Sequence, residues 1–354
     1  MTAPHLWVRA EQRENETRVG ITPDGVRALL DDGFAVSVEA SGTRVIPTEA
    51  YAATGCEIVA AHSWPGAPAE AIVFGLKELP EDGLPLTHRH IMFGHAYKGQ
   101  ASGRVLLQRF RQGGGTLLDL EYLTDATGKR VAAFGYWAGF AGAAVALECW
   151  AAQQRGGIAG PVSACADAEA LKARVAAGMR GLDRAPDALV IGALGRVGTG
   201  AADLCDAMGV SVTGWDMAET AHGGPFPEIL AHEIFLNCIL AGPDTPRFVA
   251  PSALTASRRL RVIGDIACDP DSAFNPVPVY DRATTWEAPA LRVHDDPPLD
   301  VMAIDNLPSL LPLESSQDFA EQLLPTLQGL AKDPAGIWDR AEGLFRDHLA
   351  ALDQ

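Results

Sequence analysis

Within residues 75–100, GLKELPEDGLPLTHRHIMFGHAYKGQ, the chain gathers Lys77, His88, Arg89, His90, His95 and Lys98. Around them runs an acidic protein of 354 residues with a formal net charge of −17. Bases concentrated in such a chain admit three chemistries: a metal centre, a basic patch for a phosphate polymer, or an acid–base site that handles carboxylates. His88 and His90 alternate as strand residues do, so they share a face, and His95 lies further on. An HxH pair with no adjacent carboxylate or cysteine is a poor ligand set, and no metal is expected; the pair reads more simply as polar residues at a strand start. The net charge repels phosphate polymers and anionic membrane surfaces, so neither nucleic acid nor membrane is expected as a partner. The acid–base reading fits better. Lys77 closes the apolar run AIVFGLK and His95 closes HIMFGHA; in a parallel sheet, ligands gather beyond the carboxyl ends of the strands. A lysine held against apolar surface and other cations can act as a base near neutral pH, and histidine titrates there unaided. Arg18, Lys98 and the pair Lys129–Arg130 are candidate partners for substrate carboxylates, arginine with the option of bidentate contact.

A second constellation is ALVIGALGRVGTGAADLCDAMG, which reads as strand, glycine turn and helix. Its glycines, Gly192, Gly195 and Gly198, are spaced GxxGxxG, with Arg196 and Val197 inside the turn. The physics is that of a dinucleotide cradle: a tight turn, backbone close to pyrophosphate, and a helix N-terminus offering N–H groups to anionic oxygens. Asp216 ends the next strand, 216 − 192 = 24 residues on, placed to accept hydrogen bonds from the adenosine ribose. Met217 and Ala218 follow it, and no base stands ready for a 2′-phosphate, so the expected cofactor is NAD rather than NADP.

These residues need elements to hold them. HLWVRAE, FAVSVEA, AIVFGL, HIMFGHA and GTLLDLE read as strands. TPDGVRALLDDG reads as a helix with Thr22 as cap, Pro23 in its first turn and Gly33 at its end. Alternation with helical segments such as ASGRVLLQRFRQ predicts a mainly parallel sheet. A second series follows in the strands DALVIG, SVTGWD, EIFLNCIL and RRLRVIGDIACD. Between the two series, Val131–Leu147 carries no charge; it is short for a bilayer span and reads as a buried strand end followed by a core helix. Two helices close the chain with no strand between them. The second starts at Asp333 and Pro334 and presents Ile337, Ala341, Leu344, Phe345 and Leu352 on one face.

The length suits two domains, and 47% apolar with 21% charged residues is an ordinary globular balance. Six dispersed cysteines without a CxxC pair read as reduced core thiols. Arg9, Glu11 and Arg13 interrupt any apolar run near the start, so no secretory signal is expected.

On ETRVGITP, Lys77, His95 and the glycine loop, the chain resembles the alanine dehydrogenase and transhydrogenase superfamily. GLKELPE, HAYKGQ, LLDLEYL, AAFGYWAGFAG, VIGALGRVGTGA, GGPF, FLNCI and DNLPSLLP narrow the resemblance to the NAD-dependent, lysine-forming saccharopine dehydrogenases, nearly end to end. The resemblance implies an α/β fold of two Rossmann-like, doubly wound domains flanking a cleft. The substrate domain would be discontinuous, residues 1–132 plus 306–354, and the dinucleotide-binding domain residues 133–305. It implies reversible oxidation of saccharopine with NAD and water to lysine and 2-oxoglutarate, by hydride transfer and then imine hydrolysis. Lys77 would be the base at the secondary amine and His95 the acid–base group for water. Arg18, Lys98 and Arg130 would bind carboxylates, while Glu78 and Glu121 tune the catalytic pair. Gly192, Gly195, Arg196, Val197, Gly198 and Asp216 would contact the cofactor, with Asp305 at its nicotinamide end. Fungal members carry a cysteine in the glycine loop that can pair with the one in NCI; Val197 stands there instead, leaving Cys238 without that partner. The chain ends ALDQ, without the fungal peroxisomal tripeptide, so a cytoplasmic address is expected. Two other readings share these residues: an opine-type or alanine dehydrogenase-like imine reductase with another amine and 2-oxo acid, and an NAD(H)-binding protein without catalysis.

Overall fold

The computed structural model describes residues 4–13, 15–333 and 335–352; Pro334, expected at a helix start, lies outside them. In chain order the elements are β1 (His5–Val8), α1 (Pro23–Asp31), β2 (Ala35–Glu39), α2 (Thr48–Ala52), β3 (Glu57–Val59), β4 (Ile72–Phe74), β5 (Arg89–Met92), α3 (Ala101–Gly113) and β6 (Thr116–Asp119). There follow α4 (Gly135–Gln154), α5 (Ala168–Met179), β7 (Asp187–Ile191), α6 (Arg196–Ala207), β8 (Ser211–Trp215), α7 (Met217–Thr220), α8 (Pro227–Leu230) and β9 (Ile234–Asn237). The last are β10 (Val262–Asp265), β11 (Leu291–Asp295), β12 (Pro298–Met302), α9 (Pro312–Gln328) and α10 (Ile337–Ala351). The chain divides into two compact units: the first runs to Ala133 and resumes at Ser315, and the second is Phe134–Glu314. The later boundary falls beyond the 305/306 read from the sequence, because Leu307, Leu310 and Leu311 are buried in the core of the second unit.

The first unit holds a six-stranded sheet ordered β3-β2-β1-β4-β5-β6, parallel throughout. Its strands are short and apolar, as strands covered on both faces must be. Thr22 caps α1 by accepting the Gly25 N–H at 3.3 Å, and Gly33 leaves the helix at φ 87°, a conformation that glycine adopts without a steric penalty. At the C-terminus, Asp333 accepts the N–H groups of Ile337 (2.8 Å) and Asp339 (2.9 Å), and α10 begins at Ile337, later than the start expected at Asp333 and Pro334. The buried face of α10 is Trp338, Ala341 and Phe345, rotated from the expected stripe; Ile337 and Leu344 are half-buried. Phe345 joins Trp7, Val73, Met92, Phe110 and Leu117 in one core.

The second unit carries a six-stranded sheet ordered β11-β12-β10-β9-β7-β8. Only β11 runs antiparallel, against β12 at the sheet edge. The uncharged stretch becomes α4, buried on nearly every side, which is the structural outcome of a helix apolar all round. The strand end expected before it is a single bridge between Thr124 and Arg130. Glycines let α4 and α6 touch backbone to backbone: a β-carbon on Gly139 would strike the Val197 carbonyl, and one on Gly200 the Tyr136 carbonyl. No helix among the described residues is long and apolar enough to cross a membrane.

Candidate functional site

In the first unit the chain winds from β1 outward to β3 on one side and from β4 to β6 on the other, so β1 and β4 flank the topological switch point. Ligand crevices form at such points, beyond the carboxyl ends of the strands. Lys77 follows β4 there, half-buried, and its peptide is held on both sides. Glu11 accepts the N–H groups of Leu76 (2.6 Å) and Lys77 (3.1 Å), while the Arg9 guanidinium donates to the Lys77 carbonyl. Arg9 and Glu11 are themselves a buried ion pair at 3.2 Å. Gly75 leaves room for this clamp, since a β-carbon there would enter the Arg9 guanidinium.

Arg18 and Glu16 form a second buried pair. Arg18 donates from Nε to Oε1 at 2.9 Å and from Nη2 to Oε2 at 2.6 Å, the bidentate geometry that a planar guanidinium favours. Burial raises the cost of the Glu16 charge, but Arg18 and the charge of Lys77 outweigh it and hold the carboxyl below its usual range. Arg18 is thus oriented by a carboxylate of its own chain, two residues upstream.

At the ends of β5 and β6 the remaining bases meet one acid. Glu121 receives Lys98 Nζ at 2.8 Å, with His95 Nδ1 and Arg130 Nη2 each at 3.6 Å. The His95 ring beside it, followed by Lys98 and Arg130, pulls the Glu121 carboxyl down to about 2 against the effect of burial. For Lys98, burial works against its charge and the Glu121 bond more than compensates, so its pKa is raised. His95 sits at φ 47°, left-handed for a non-glycine residue, a conformation that surrounding structure has to enforce. Glu78 stands apart from this cluster, exposed and 3.7 Å from Arg13.

The other histidines of the window went elsewhere. His88 bonds the Ala67 carbonyl at 3.1 Å, and His90 is buried edge-on between Trp64 and Phe110. They lie at the start of β5, as expected, but are buried, because the parallel sheet is covered on both faces. No group of three metal-ligating side chains occurs among the described residues.

In the second unit, β7 lies between β8 and β9, and the chain leaves β7 toward one and reaches the other from beyond: the switch point again. Gly192 turns there at φ 89°, its backbone against the Cys238 carbonyl. Gly195 caps α6 with no side-chain bond, leaving the first-turn N–H groups to a ligand. A β-carbon on Gly198 would strike the Gly192 carbonyl. Arg196 is exposed and Val197 half-buried on that first turn. Asp216 follows β8 and accepts the N–H of Leu194 at 3.0 Å and of Met217 at 2.9 Å, tying the glycine loop to the end of β8. Asp305, exposed, follows β12. The turn, the uncapped helix and the carboxylate together fit a dinucleotide. Cys238 is a free thiol, its pKa raised by burial.

Four residues of the first unit escaped the reading of the site, the buried Arg9, Glu16 and Asp119 and the half-buried Glu11. Arg9, Glu11 and Glu16 lie just after a strand that ends at a switch point, and that position was the available signal. Asp119 sits inside the apolar run LLDLEYL and looked like an ordinary strand terminus.

The family described as alanine dehydrogenase/PNT, N-terminal domain, matches residues 7–141. The saccharopine dehydrogenase [NAD(+), L-lysine-forming] of Yarrowia lipolytica is 43% identical over all of both chains. The protein of that name from Neurospora crassa is 44% identical, over 99% of this chain and 97% of its own. Among solved structures, an L-alanine dehydrogenase superposes with a TM-score of 0.65 at 18% identity, covering 98% of this chain and 93% of that one, a likeness of fold. The chain belongs to the saccharopine dehydrogenase family, in its NAD(+)-dependent, L-lysine-forming branch.

Proposed function

We propose that this protein interconverts saccharopine, NAD and water with L-lysine, 2-oxoglutarate and NADH. The observation that carries the reading is the set His95, Lys98 and Arg130 around Glu121, in a chain alike over its whole length to proteins of that name. Three carboxylates on the substrate give an acidic protein a reason to keep a cationic pocket.

The second unit binds the dinucleotide through Gly192, Gly195, Arg196, Val197 and Gly198, with Asp216 toward the ribose and Asp305 toward the nicotinamide. NAD, when bound, supplies the two-electron acceptor for oxidation of the carbon–nitrogen bond. Lys77 takes the proton of the secondary amine, from a backbone that Glu11 and Arg9 hold on both sides. His95 takes a proton from the water that adds to the substrate imine, then returns it to the departing lysine amine. Lys98, Arg130 and Arg18, the last oriented by Glu16, bind carboxylates. Glu121, ionised across the working pH range, keeps the cations of its cluster charged, and Glu78 adds to the acidic balance.

NADH oxidation by the purified protein, with 2-oxoglutarate and lysine, tests the reading. Controls replace lysine by ornithine or ammonia, and 2-oxoglutarate by pyruvate. Turnover confined to the lysine and 2-oxoglutarate pair supports the proposal; preference for any other pair overturns the substrate assignment.

A further inference from the structure

Asp119 is the carboxylate that the chemistry above leaves unused. It ends β6, is 1% exposed, and stands two residues before Glu121. Its Oδ1 accepts the Glu121 N–H at 2.9 Å, which fixes the turn carrying the acid at the centre of the cluster. Its Oδ2 is sealed from solvent and has only the backbone N–H of Gly94 near it. That oxygen faces the backbone of Gly94, the residue before His95: a β-carbon at 94 would lie 3.1 Å from it. A carboxylate so poorly solvated is costly when charged, and the fold retains it beside Glu121 and His95.

We propose that Asp119 is a positioning residue of the acid–base cluster, which holds the Glu121 turn through one oxygen and biases the proton on His95 through the charge of the other. The proposal rests on the acid–base reading of His95. Other groups around it are few. Glu121 and Tyr122 lie on its own turn, and His95 and Tyr97 come from the end of β5. His348 of α10 stacks on Tyr97, with ring centroids 4.3 Å apart. Burial raises the Asp119 carboxyl to about 6 against the backbone N–H bonds of Glu121 and Gly94; the Glu121 charge pushes the same way as burial, and His95 opposes it. The Asp119 and His95 charges are of opposite sign, so each ionisation favours the other's charged form.

The test is an NMR titration of the His95 ring in the full-length protein without substrate, in wild type and Asp119→Asn. Asparagine keeps an oxygen for the Glu121 N–H and removes the charge. The expected result is a two-step titration in wild type that collapses to one step in Asp119→Asn, with the midpoint lower by about half a pH unit as a nearby negative charge is lost. Superimposable His95 curves overturn the proposal and leave Asp119 a purely structural bond. Should Asp119→Asn fail to fold, carbon-13 detection of aspartate carboxyls in the wild type decides. A buried carboxyl titrating near pH 6 in step with His95 supports the coupling, and none above pH 5 overturns it. Because the titration needs no substrate, failed turnover with lysine and 2-oxoglutarate would count against the substrate reading and leave this result standing.

Discussion

At the scale of the residue, two neighbouring strand ends present opposite uses of a base. Lys77 follows β4, with its backbone clamped by Glu11 and Arg9 and its charge beside Glu16. Lys77→Met keeps the length of the side chain and removes the amine. Turnover is expected to fall by roughly two or more orders of magnitude, with NADH binding by fluorescence unchanged. An undiminished rate would remove Lys77 from the role of base. His90, buried next to the same strand, does no chemistry and burdens the fold instead. Burial, with Arg9, His88 and Arg109 nearby, lowers its pKa from 6.5 to about 3, so the folded protein resists a proton that the unfolded chain accepts. Its contribution is intact above pH 6.5 and is lost as pH falls toward 3. For His90→Leu, the gain in stability at pH 5 is expected to exceed that at pH 8 by about 2 kcal/mol, from 1.36 kcal/mol per pH unit. Urea melts at both values check it, and equal differences would mean that His90 titrates normally. The sequence displayed Lys77 and His95 because each closes an apolar run. Arg18 was legible as a charge but not as a partner of Glu16, since side-chain direction inside a loop leaves no periodic trace.

At the scale of the element, what was legible followed from pattern length. Most of the parallel strands and most of the longer helices announced themselves through runs of apolar residues and through caps such as Thr22, but the twelve-residue α5, in a polar stretch, did not. Three-residue β3 fell below the length at which alternation can be recognised. The hairpin β11–β12 lies at an edge, with two prolines at its turn, and its half-exposed first strand has no apolar face to betray it. The contact of α4 with α6 was hidden for another reason: glycines in a helix look like a weakness until the partner backbone is known. Gly139→Ala pushes a methyl group into the Val197 carbonyl on the first turn of α6. A loss of about 1–3 kcal/mol is expected, together with weaker NADH binding, because the proposed dinucleotide cradle is built on the same turn. Gly343→Ala in α10 meets nothing within 4 Å, and there the change is expected to be neutral or to stabilise by about 0.5–1 kcal/mol. Thermal melts of the two variants separate the explanations; equal effects would show that helix propensity, not the interhelical contact, governs both.

At the scale of the whole molecule, the order of the chain assigns the two units different degrees of independence. The second is one continuous stretch, Phe134–Glu314, with a complete sheet and apolar clusters of its own. The first is completed only when the chain returns at Ser315, and five side chains buried there, Phe319, Leu323, Leu327, Trp338 and Phe345, come from α9 and α10. At about 1.5–3 kcal/mol for each large apolar side chain buried, the return contributes on the order of 8–15 kcal/mol. That equals the whole net stability of an ordinary domain, about 5–15 kcal/mol. A fragment of residues 134–314 is therefore expected to unfold cooperatively and to bind NADH within about tenfold of the intact chain, roughly 1.4 kcal/mol. A fragment ending at residue 133 should show no cooperative transition until a peptide of residues 315–352 is added. Circular dichroism and calorimetry of the fragments decide the matter. A sharp melt of the isolated N-terminal fragment would mean that its sheet carries its own core and that α9 and α10 serve some purpose other than completing it.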